Sequence, residues 1–205
     1  MMVFSMRYYK KTKKIILAYL VPIFAVTLLL AGNAMAANTP SNVNSINIKS
    51  AEIVLVDENY VLNADAEIKF NDDIEEAILK GFELNFLIEF QLVTPRKYWF
   101  DDEIVTVTHH VTLGYHALSR QFLVIRGEQQ KTFATLDEAI AELDNIRDLK
   151  VFSKSEVEKG FVYKAALLMR LDHNKLPKAL QVDAISSDEW KMLSQRYEWF
   201  PNLFK

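Results

Sequence analysis

The chain of 205 residues contains no cysteine and only five glycines and five prolines. Without cysteine it can form neither disulfides nor thiolate-based catalytic or zinc sites. The few glycines leave little material for phosphate-binding loops, and the sequence has no G-x-S-x-G, S-x-x-K or H-E-x-x-H motif. Half of the residues are hydrophobic, so packing alone can hold the fold together. The sequence therefore predicts no cofactor and no catalytic residue, and it favours a non-enzymatic protein.

The first 36 residues have the organisation of a secretory signal peptide. A basic head without acidic residues precedes an apolar run from Ile15 to Ala31, and the small-x-small sequence Ala34-Met35-Ala36 follows. This order predicts export to the periplasm with cleavage between Ala36 and Ala37. The alternative is an uncleaved anchor in the inner membrane, with the rest of the chain facing the periplasm. The apolar run is short for a membrane span and contains Pro22, which favours cleavage.

The distribution of charge separates this leader from the rest of the chain. The leader holds five of the 24 basic residues and none of the 27 acidic ones. The remaining chain therefore carries 19 basic and 27 acidic residues, a formal charge of −8. Nucleic acids and anionic lipid surfaces both require a basic surface on the protein. We expect no nucleic-acid partner, and contact with the membrane only through the leader if it is not cleaved.

The remaining chain reads as a flexible polar tether over 37–45 and a single domain over 46–205. Apolar and polar residues alternate in several segments and predict strands over 51–56, 60–70, 82–92, 105–115, 121–126 and 161–171. Capping-box pairs predict three helices. The first starts at Asp72, paired with Glu75, and the second starts at Thr135, paired with Glu138, and reaches Ile146. The last starts at Ser186. This order predicts an α+β fold: a mainly antiparallel sheet of about six strands, with two or three short helices covering one face.

The four histidines are the natural metal ligands of an exported chain without cysteine. His109 and His110 are adjacent on a predicted strand, so they point to opposite faces. His110 and His116 share a face but are separated by about 20 Å at the usual strand rise. A zinc ion with ligand bonds of about 2 Å cannot join them unless the strand folds back, for which Gly114 is the candidate position. We expect His109 to be a hydrogen-bonded core residue, the other three, including His173, to be solvated, and no metal site.

An aromatic triplet is the candidate contact site. Tyr98, Trp99 and Phe100 follow Pro95 and two basic residues between two predicted strands. Three consecutive rings cannot all lie on one face of a strand. Trp, Tyr and Arg are enriched at the energetic centres of protein interfaces. We therefore predict a partner-binding surface of Arg96, Tyr98, Trp99 and Phe100; the alternative is that these rings pack in the core.

Four stretches, taken in order, resemble one known family. They are residues 96–102 (RKYWFDD), 113–122 (LGYHALSRQF), 133–139 (FATLDEA) and 171–182 (LDHNKLPKALQV). Together they resemble a family of exported proteobacterial proteins catalogued as domain of unknown function 4390. The resemblance covers nearly the whole chain after the leader. It implies an envelope protein, often encoded near a sensor kinase of the nitrogen-regulation type, and it implies no reaction, cofactor or catalytic residue.

Three classes of function remain open. The leading hypothesis is an exported, periplasmic, non-enzymatic module that binds a protein partner in the cell envelope, with the exterior of a membrane sensor kinase as one candidate. The second is a small-ligand binder or an enzyme with a site dispersed along the chain. The third is a structural envelope protein tethered by an uncleaved leader. A pocket with convergent Thr, His and Arg groups would favour the second class, and an exposed aromatic surface would favour the first.

Overall fold

The computed structural model describes residues 44–178, 180–181 and 190–204, and all of them belong to one compact unit that begins at Asn42. These residues form nine strands in two antiparallel sheets, with two α-helices, which confirms the predicted α+β class. The strands are β1 (Ser45–Val56), β2 (Asn59–Lys69), β3 (Leu84–Thr94), β4 (Asp102–His116), β5 (Gln121–Arg126), β6 (Gln129–Phe133), β7 (Asn145–Ser153), β8 (Lys164–Leu171) and β9 (Tyr197–Trp199). The helices are α1 (Asp72–Leu79) and α2 (Leu136–Asp144).

The larger sheet has six strands in the order β6-β5-β4-β3-β8-β9. The predicted alternation of β3 is confirmed, because the side chains from Leu84 to Leu92 at every second position are buried. In β4 the predicted faces are also correct: Val111 and Leu113 are buried, whereas Thr108 is exposed. Burial of one face over eleven residues of β3 fixes the register of this sheet, since a one-residue slip would expose the whole apolar set.

The smaller sheet has three strands in the order β1-β2-β7, and it packs on the larger one. Tyr60 of β2 stacks on Phe152 of β7 at a centroid distance of 4.7 Å. Phe152 in turn lies 6.0 Å from Phe90 in the centre of the larger sheet. The two sheets therefore share one hydrophobic core.

The helices begin and end largely where their capping signals lie. Thr135 and Glu138 form the predicted capping box of α2. The cap of α1 is Asn71 rather than the predicted Asp72: the Asn71 side chain accepts a 2.9 Å hydrogen bond from the Ile74 N–H. Both residue types can cap a helix, so the sequence did not distinguish the two adjacent positions. Gly81 follows α1 with φ +89°, which is the left-handed conformation expected of a helix-ending glycine.

Several boundaries differ from those predicted. Strands β6, β7 and β9 were not predicted, and α2 ends at Asp144, so that Ile146 is a buried residue of β7. Ser45, assigned to the tether, is the first residue of β1, and the predicted strand over 161–171 begins only at Lys164.

Three predictions lie outside the described residues: the leader (1–36) with its cleavage site, residues 37–43 of the tether, and the start of the helix predicted at Ser186. Within the described part of the chain, no helix has the length and apolarity needed to cross a membrane.

Candidate interaction surface at one end of the domain

The aromatic triplet lies in the loop between β3 and β4, and its side chains point into solvent. Tyr98, Trp99 and Phe100 are 85%, 75% and 87% exposed. Trp99 is therefore not a core residue, contrary to the alternative considered from the sequence. Large apolar side chains at this level of exposure are typical of interaction sites when several occur together. Their role in binding a partner stays a prediction.

Polar contacts hold the base of this loop while the rings remain outside. The Arg96 side chain forms an ion pair with Asp102, and the Arg96 backbone N–H donates a 3.1 Å hydrogen bond to Asp101 Oδ1. The Lys97 ammonium lies 5.4 Å from the centroid of the Tyr98 ring, a cation–π distance. Arg96 thus positions the loop, and its guanidinium is already engaged by a carboxylate.

Two other segments of the larger sheet emerge beside this loop. Val93, at the end of β3, pairs with Lys164, the first residue of β8, and Ala165 pairs with Trp199, the last residue of β9. The residues just before β8 and just after β9 must therefore leave the sheet at the same end as the β3–β4 loop. These residues are Phe161, Val162 and Phe200, which are 56% to 67% exposed.

The smaller sheet contributes its hairpin turn to the same end. The β1–β2 turn lies beside the end of β7, since Asn59 pairs with Ser153 and the Lys154 N–H donates a 2.9 Å hydrogen bond to the Glu58 carbonyl. Tyr60, next to this turn, contacts Leu203 in the segment that follows β9. The exposed apolar residues at the end of β1 are Val54, Leu55 and Val56.

We call these nine side chains the apolar end of the domain: residues 54–56, 98–100, 161–162 and 200. Twelve large hydrophobic residues are exposed in the described part of the chain, and nine of them belong to this end. The other three, Leu79, Leu118 and Leu193, lie in or beside elements that place them at the opposite end of the strands. Scattered exposure of apolar residues is normal, but this concentration at one end is the pattern of an interaction surface.

Charged pairs border the triplet on the larger sheet. A groove of about 220 Å³ runs beside Phe100 and is lined by Lys164, Arg196 and Glu198. Glu198 lies 2.6 Å from the Lys164 ammonium and 3.0 Å from Arg196 Nε. Hydrogen bonds from Lys164 and Arg196 hold the pKa of Glu198 below its ordinary value. Apolar residues bordered by satisfied charges match the usual anatomy of a protein interface.

Three of the histidines, His109, His110 and His116, lie on β4, and His173 lies in the segment that follows β8. His109 is half-buried and its Nε2 lies 2.9 Å from the Lys150 carbonyl, so it makes the expected hydrogen bond without being fully in the core. His110 and His116 are exposed. His173, expected to be solvated, is half-buried and bonds the Trp190 carbonyl at 2.9 Å. In the described ranges, no three His, Asp or Glu side chains are placed to hold a metal ion.

A cleft of about 620 Å³ lies where α2 and β7 meet the larger sheet. Arg126 of β5 donates to the carbonyls of Glu142 and Asn145 at 2.5 and 2.8 Å, and so caps the C-terminal end of α2. Arg147 donates to the Ala64 carbonyl at 2.6 Å and pairs with a carboxylate of β2. These bonds make the cleft a structural junction between α2, β7 and the larger sheet. Arg126 Nε, in contrast, is buried and has no hydrogen-bond partner among the described residues.

The sequence nominated only part of the apolar end. The triplet was predicted, and Phe200 was a candidate as part of the C-terminal aromatic group, whereas Val54–Val56, Phe161 and Val162 were not predicted. Each of these is an apolar residue at a strand end, a weak local signal. Their shared location depends on which strands pair, and that pairing joins segments about a hundred residues apart, such as β3 and β9 through β8.

Comparison with known proteins gives one result. A family model described as Domain of unknown function (DUF4390) matches residues 43–200. No curated protein and no solved structure matches the chain. The match covers well over half of the sequence and includes all four stretches on which the resemblance was based. The chain belongs to the DUF4390 family.

Proposed function

We propose that this protein is an exported, non-enzymatic module of the cell envelope that binds a protein partner through its apolar end, with Tyr98, Trp99 and Phe100 at the centre and Arg96 fixing their loop. The observation that carries this proposal is the gathering of nine exposed large hydrophobic residues from four segments at one end of the domain. Desolvating such side chains against a partner is favourable by roughly 25 cal/mol for each Å² of apolar surface removed from water.

Charge favours a protein over a bilayer or a nucleic acid as the occupant. Asp101, Asp102 and Glu103 directly follow the triplet, and Asp57 and Glu58 form the neighbouring hairpin turn. An anionic membrane surface or a phosphate backbone would be repelled by these carboxylates. A protein partner can offer apolar residues with basic neighbours, which fits an aromatic centre bordered by acidic groups.

The cell-envelope setting rests on the leader sequence, and the candidate partner follows from the family. The exterior of a sensor kinase of the nitrogen-regulation type is the partner that the resemblance suggests. The second hypothesis, a small-ligand binder or enzyme, would use the 620 Å³ cleft, but there the terminal nitrogens of Arg126 and Arg147 are bonded to backbone carbonyls and only Arg126 Nε lacks a partner among the described residues.

Position-specific cross-linking in cells tests the proposal. The full chain, with its leader, carries a photoreactive phenylalanine analogue at Tyr98 or, as the control, at Leu118. Leu118 is 94% exposed and lies in the β4–β5 turn, at the far end of β4 from the triplet. We expect one discrete cross-linked protein from position 98 and none from position 118. Identification of that protein by mass spectrometry names the partner.

A second arm links the cross-link to the chemistry of the apolar end. Trp99→Ala, made in the chain that carries the photoreactive group at position 98, should strongly reduce the cross-link without lowering the protein level in cells. Leu118→Ala in the same chain should leave the cross-link unchanged. Equal cross-linking from positions 98 and 118, or cross-links to lipid alone, would refute binding of a protein partner at this end.

A further inference from the structure

Strand β1 has a free edge in the described part of the molecule. It spans the 12 residues Ser45–Val56 and, among the described strands, it pairs only with β2. Strands are most often five or six residues long, and a long edge strand presents a row of unpaired backbone N–H and C=O groups. Such an edge is a template for pairing with another strand, so its side-chain pattern shows which strand it can accept.

A β-bulge at Lys49 divides β1 into two halves. In the ladder with β2, Ile48 lies opposite Ala66 and Ser50 lies opposite Asp65, so Lys49 is the extra residue. The bulge shifts the alternation of the strand by one residue. The residues that pack toward the core on either side of the bulge are Ile46, Ile48, Ala51 and Ile53. The intervening exposed residues are Asn47, Lys49, Ser50, Glu52 and Val54.

This shifted pattern makes β1 complementary to itself. We propose that β1 pairs in an antiparallel manner with β1 of a second copy of the chain, with Ala51 on the two-fold axis. Residues are counted outward from Ala51 on the axis, and the bulged residue Lys49 is left out of this count. Ile48 then lies opposite Ile53 of the second copy. Ile46 lies opposite its Leu55, so each inward apolar residue meets another. The two three-stranded sheets become one six-stranded sheet.

The charged residues of β1 favour the same register. Lys49 and Glu52 stand on the exposed face, on opposite sides of the axis position. In this register Glu52 of each copy lies opposite Ser50 of the other and beside its Lys49. The Lys49 ammonium pairs with Glu67 of β2 at 2.6 Å, but Glu67 is also held by Lys69 at 2.9 Å, so Lys49 can pair with Glu52 of the second copy without leaving Glu67 unpaired. A shift of one residue would place inward residues opposite outward ones, which disfavours other registers. A bulge and charged residues usually protect an edge from pairing, but here both features match a second copy.

The proposed pairing shares Val54 and Leu55 with the apolar end but leaves the aromatic loop outside the contact. Because β1 runs toward the apolar end, antiparallel pairing turns the two apolar ends in opposite directions. Each copy of the dimer therefore keeps its aromatic loop available for a partner. An isologous two-fold contact of this kind closes on itself and does not propagate into a fibre.

Cysteine cross-linking tests the register directly, since the natural chain has no cysteine. Ala51→Cys in the mature protein purified from the periplasm places two thiols across the axis, where facing Cβ atoms of paired strands are about 5 Å apart. We expect a covalent dimer upon mild oxidation or with a short bismaleimide. Thr132→Cys is the control, because Thr132 is an exposed residue of β6, an edge strand of the larger sheet. Equal cross-linking of both variants, or of neither, would overturn the proposal.

A charge exchange separates specific pairing from collision. Analytical ultracentrifugation should find a concentration-dependent dimer for the natural sequence. Glu52→Lys should raise the dimer dissociation constant about tenfold or more, since it sets like charges side by side in two symmetric places. The double variant Lys49→Glu with Glu52→Lys should bring the dissociation constant back toward that of the natural sequence, short of full recovery because Lys49→Glu also removes the ion pair with Glu67. A monomer throughout the series, or a dimer insensitive to Glu52→Lys, would overturn self-pairing. Trp99→Ala should leave the dimer unchanged, so failure here is distinct from failure of the proposed function.

Discussion

The hydroxyl of Tyr60 donates a 2.6 Å hydrogen bond to the backbone carbonyl of Leu203, which lies 143 residues later in the chain. Burial raises the pKa of Tyr60, and the nearby Tyr163 adds to the rise, so the hydroxyl remains a donor. The bond attaches the segment that follows β9 to the smaller sheet. It thereby closes the core directly beneath the apolar end.

Replacement of Tyr60 by Phe tests how strongly this closure stabilises the fold. The variant keeps the stacking on Phe152 but leaves the Leu203 carbonyl without its donor, which should lower the free energy of unfolding by about 1–2 kcal/mol. Urea denaturation followed by circular dichroism measures the loss. Tyr98→Phe is the matched control and should have no effect, because Tyr98 is exposed. A loss no larger than that of the control would mean that this bond contributes nothing to stability.

Two tryptophans should respond very differently to truncation. Trp199 is half-buried and packs against Phe90 and Tyr197, at centroid distances of 6.3 and 5.6 Å. Trp199→Ala should therefore lower the free energy of unfolding by about 2–3 kcal/mol, somewhat less than for a fully buried ring. Trp99→Ala should change it by no more than about 0.5 kcal/mol, as for other exposed positions.

Thermal unfolding of both variants, recorded side by side, makes this comparison. The result matters for the proposed function, because loss of binding in Trp99→Ala is interpretable only if the fold is intact. A large drop in melting temperature for Trp99→Ala would show that the loop packs on the domain in solution.

The central strands and α2 were predictable because their signals are local. Alternation from Leu84 to Leu92 identified β3, and the reciprocal contacts of Thr135 and Glu138 identified the start of α2. Local geometry also predicted that at least one ring of the triplet is exposed, since three adjacent rings cannot share one face of a strand. The exposure of all three rings was not predicted.

The remainder depends on contacts that a single sequence does not contain. Ile146 continues the apolar spacing of α2, yet it belongs to β7, because pairing with β2 draws the chain out of the helix after Asp144. Likewise Phe161 and Phe200 join the triplet only through the β3–β8 and β8–β9 ladders. Neither ladder leaves a pattern in the intervening sequence.

The leader should be absent from the protein in the periplasm. Because Ala34-Met35-Ala36 follows the apolar run, the mature chain should begin at Ala37 and contain 169 residues. Intact-mass spectrometry of the periplasmic fraction measures this directly. Replacement of Ala36 by a bulky residue should block processing and leave the precursor in the membrane fraction. Recovery of only the full-length, membrane-bound form from the natural sequence would instead support the anchor.

His109 should make the protein less stable in mild acid. Burial lowers the pKa of His109, and His110 lowers it further, against the opposing effect of the bond to the Lys150 carbonyl. In the unfolded chain the pKa of a histidine is about 6.5, which is above the pKa of His109 in the folded protein. As the pH falls below about 6.5, the unfolded state therefore binds more protons, and the free energy of unfolding decreases until the pH reaches the lower pKa of the folded protein.

His109→Gln should flatten this dependence, whereas His110→Gln should not, because His110 is exposed. The free energy of unfolding measured at about pH 7.5 and pH 5.5 gives the comparison. An NMR titration of the imidazole provides a direct check. A His109 that titrates at or above its ordinary pKa would contradict the burial argument.

Asp144 should have the opposite dependence on pH. Burial raises the pKa of Asp144 from 3.8 to about 6, and the charge of Glu67 adds to the rise, although the Ile68 N–H donates a 2.8 Å bond to the carboxylate. Asp144 is also the last residue of α2, where a negative charge opposes the helix dipole. Because the folded pKa is the higher one, this group contributes stability below about pH 4 that is lost as the pH rises through about 6.

Asp144→Asn keeps an oxygen acceptor for the Ile68 N–H and removes the charge. It should raise the free energy of unfolding at pH 7 by about 1 kcal/mol, a value reduced for the partial exposure of the side chain, and the gain should vanish near pH 4. Asp137→Asn is the control in the same helix. Asp137 lies in the first turn, where its charge is favourable, so that variant should be slightly destabilised at pH 7. Denaturation curves at pH 7 and pH 4 measure both variants. An Asp144→Asn variant less stable than the natural protein at pH 7 would show that the hydrogen bond from the Ile68 N–H to the charged carboxylate stabilises the fold by more than burial of the charge costs.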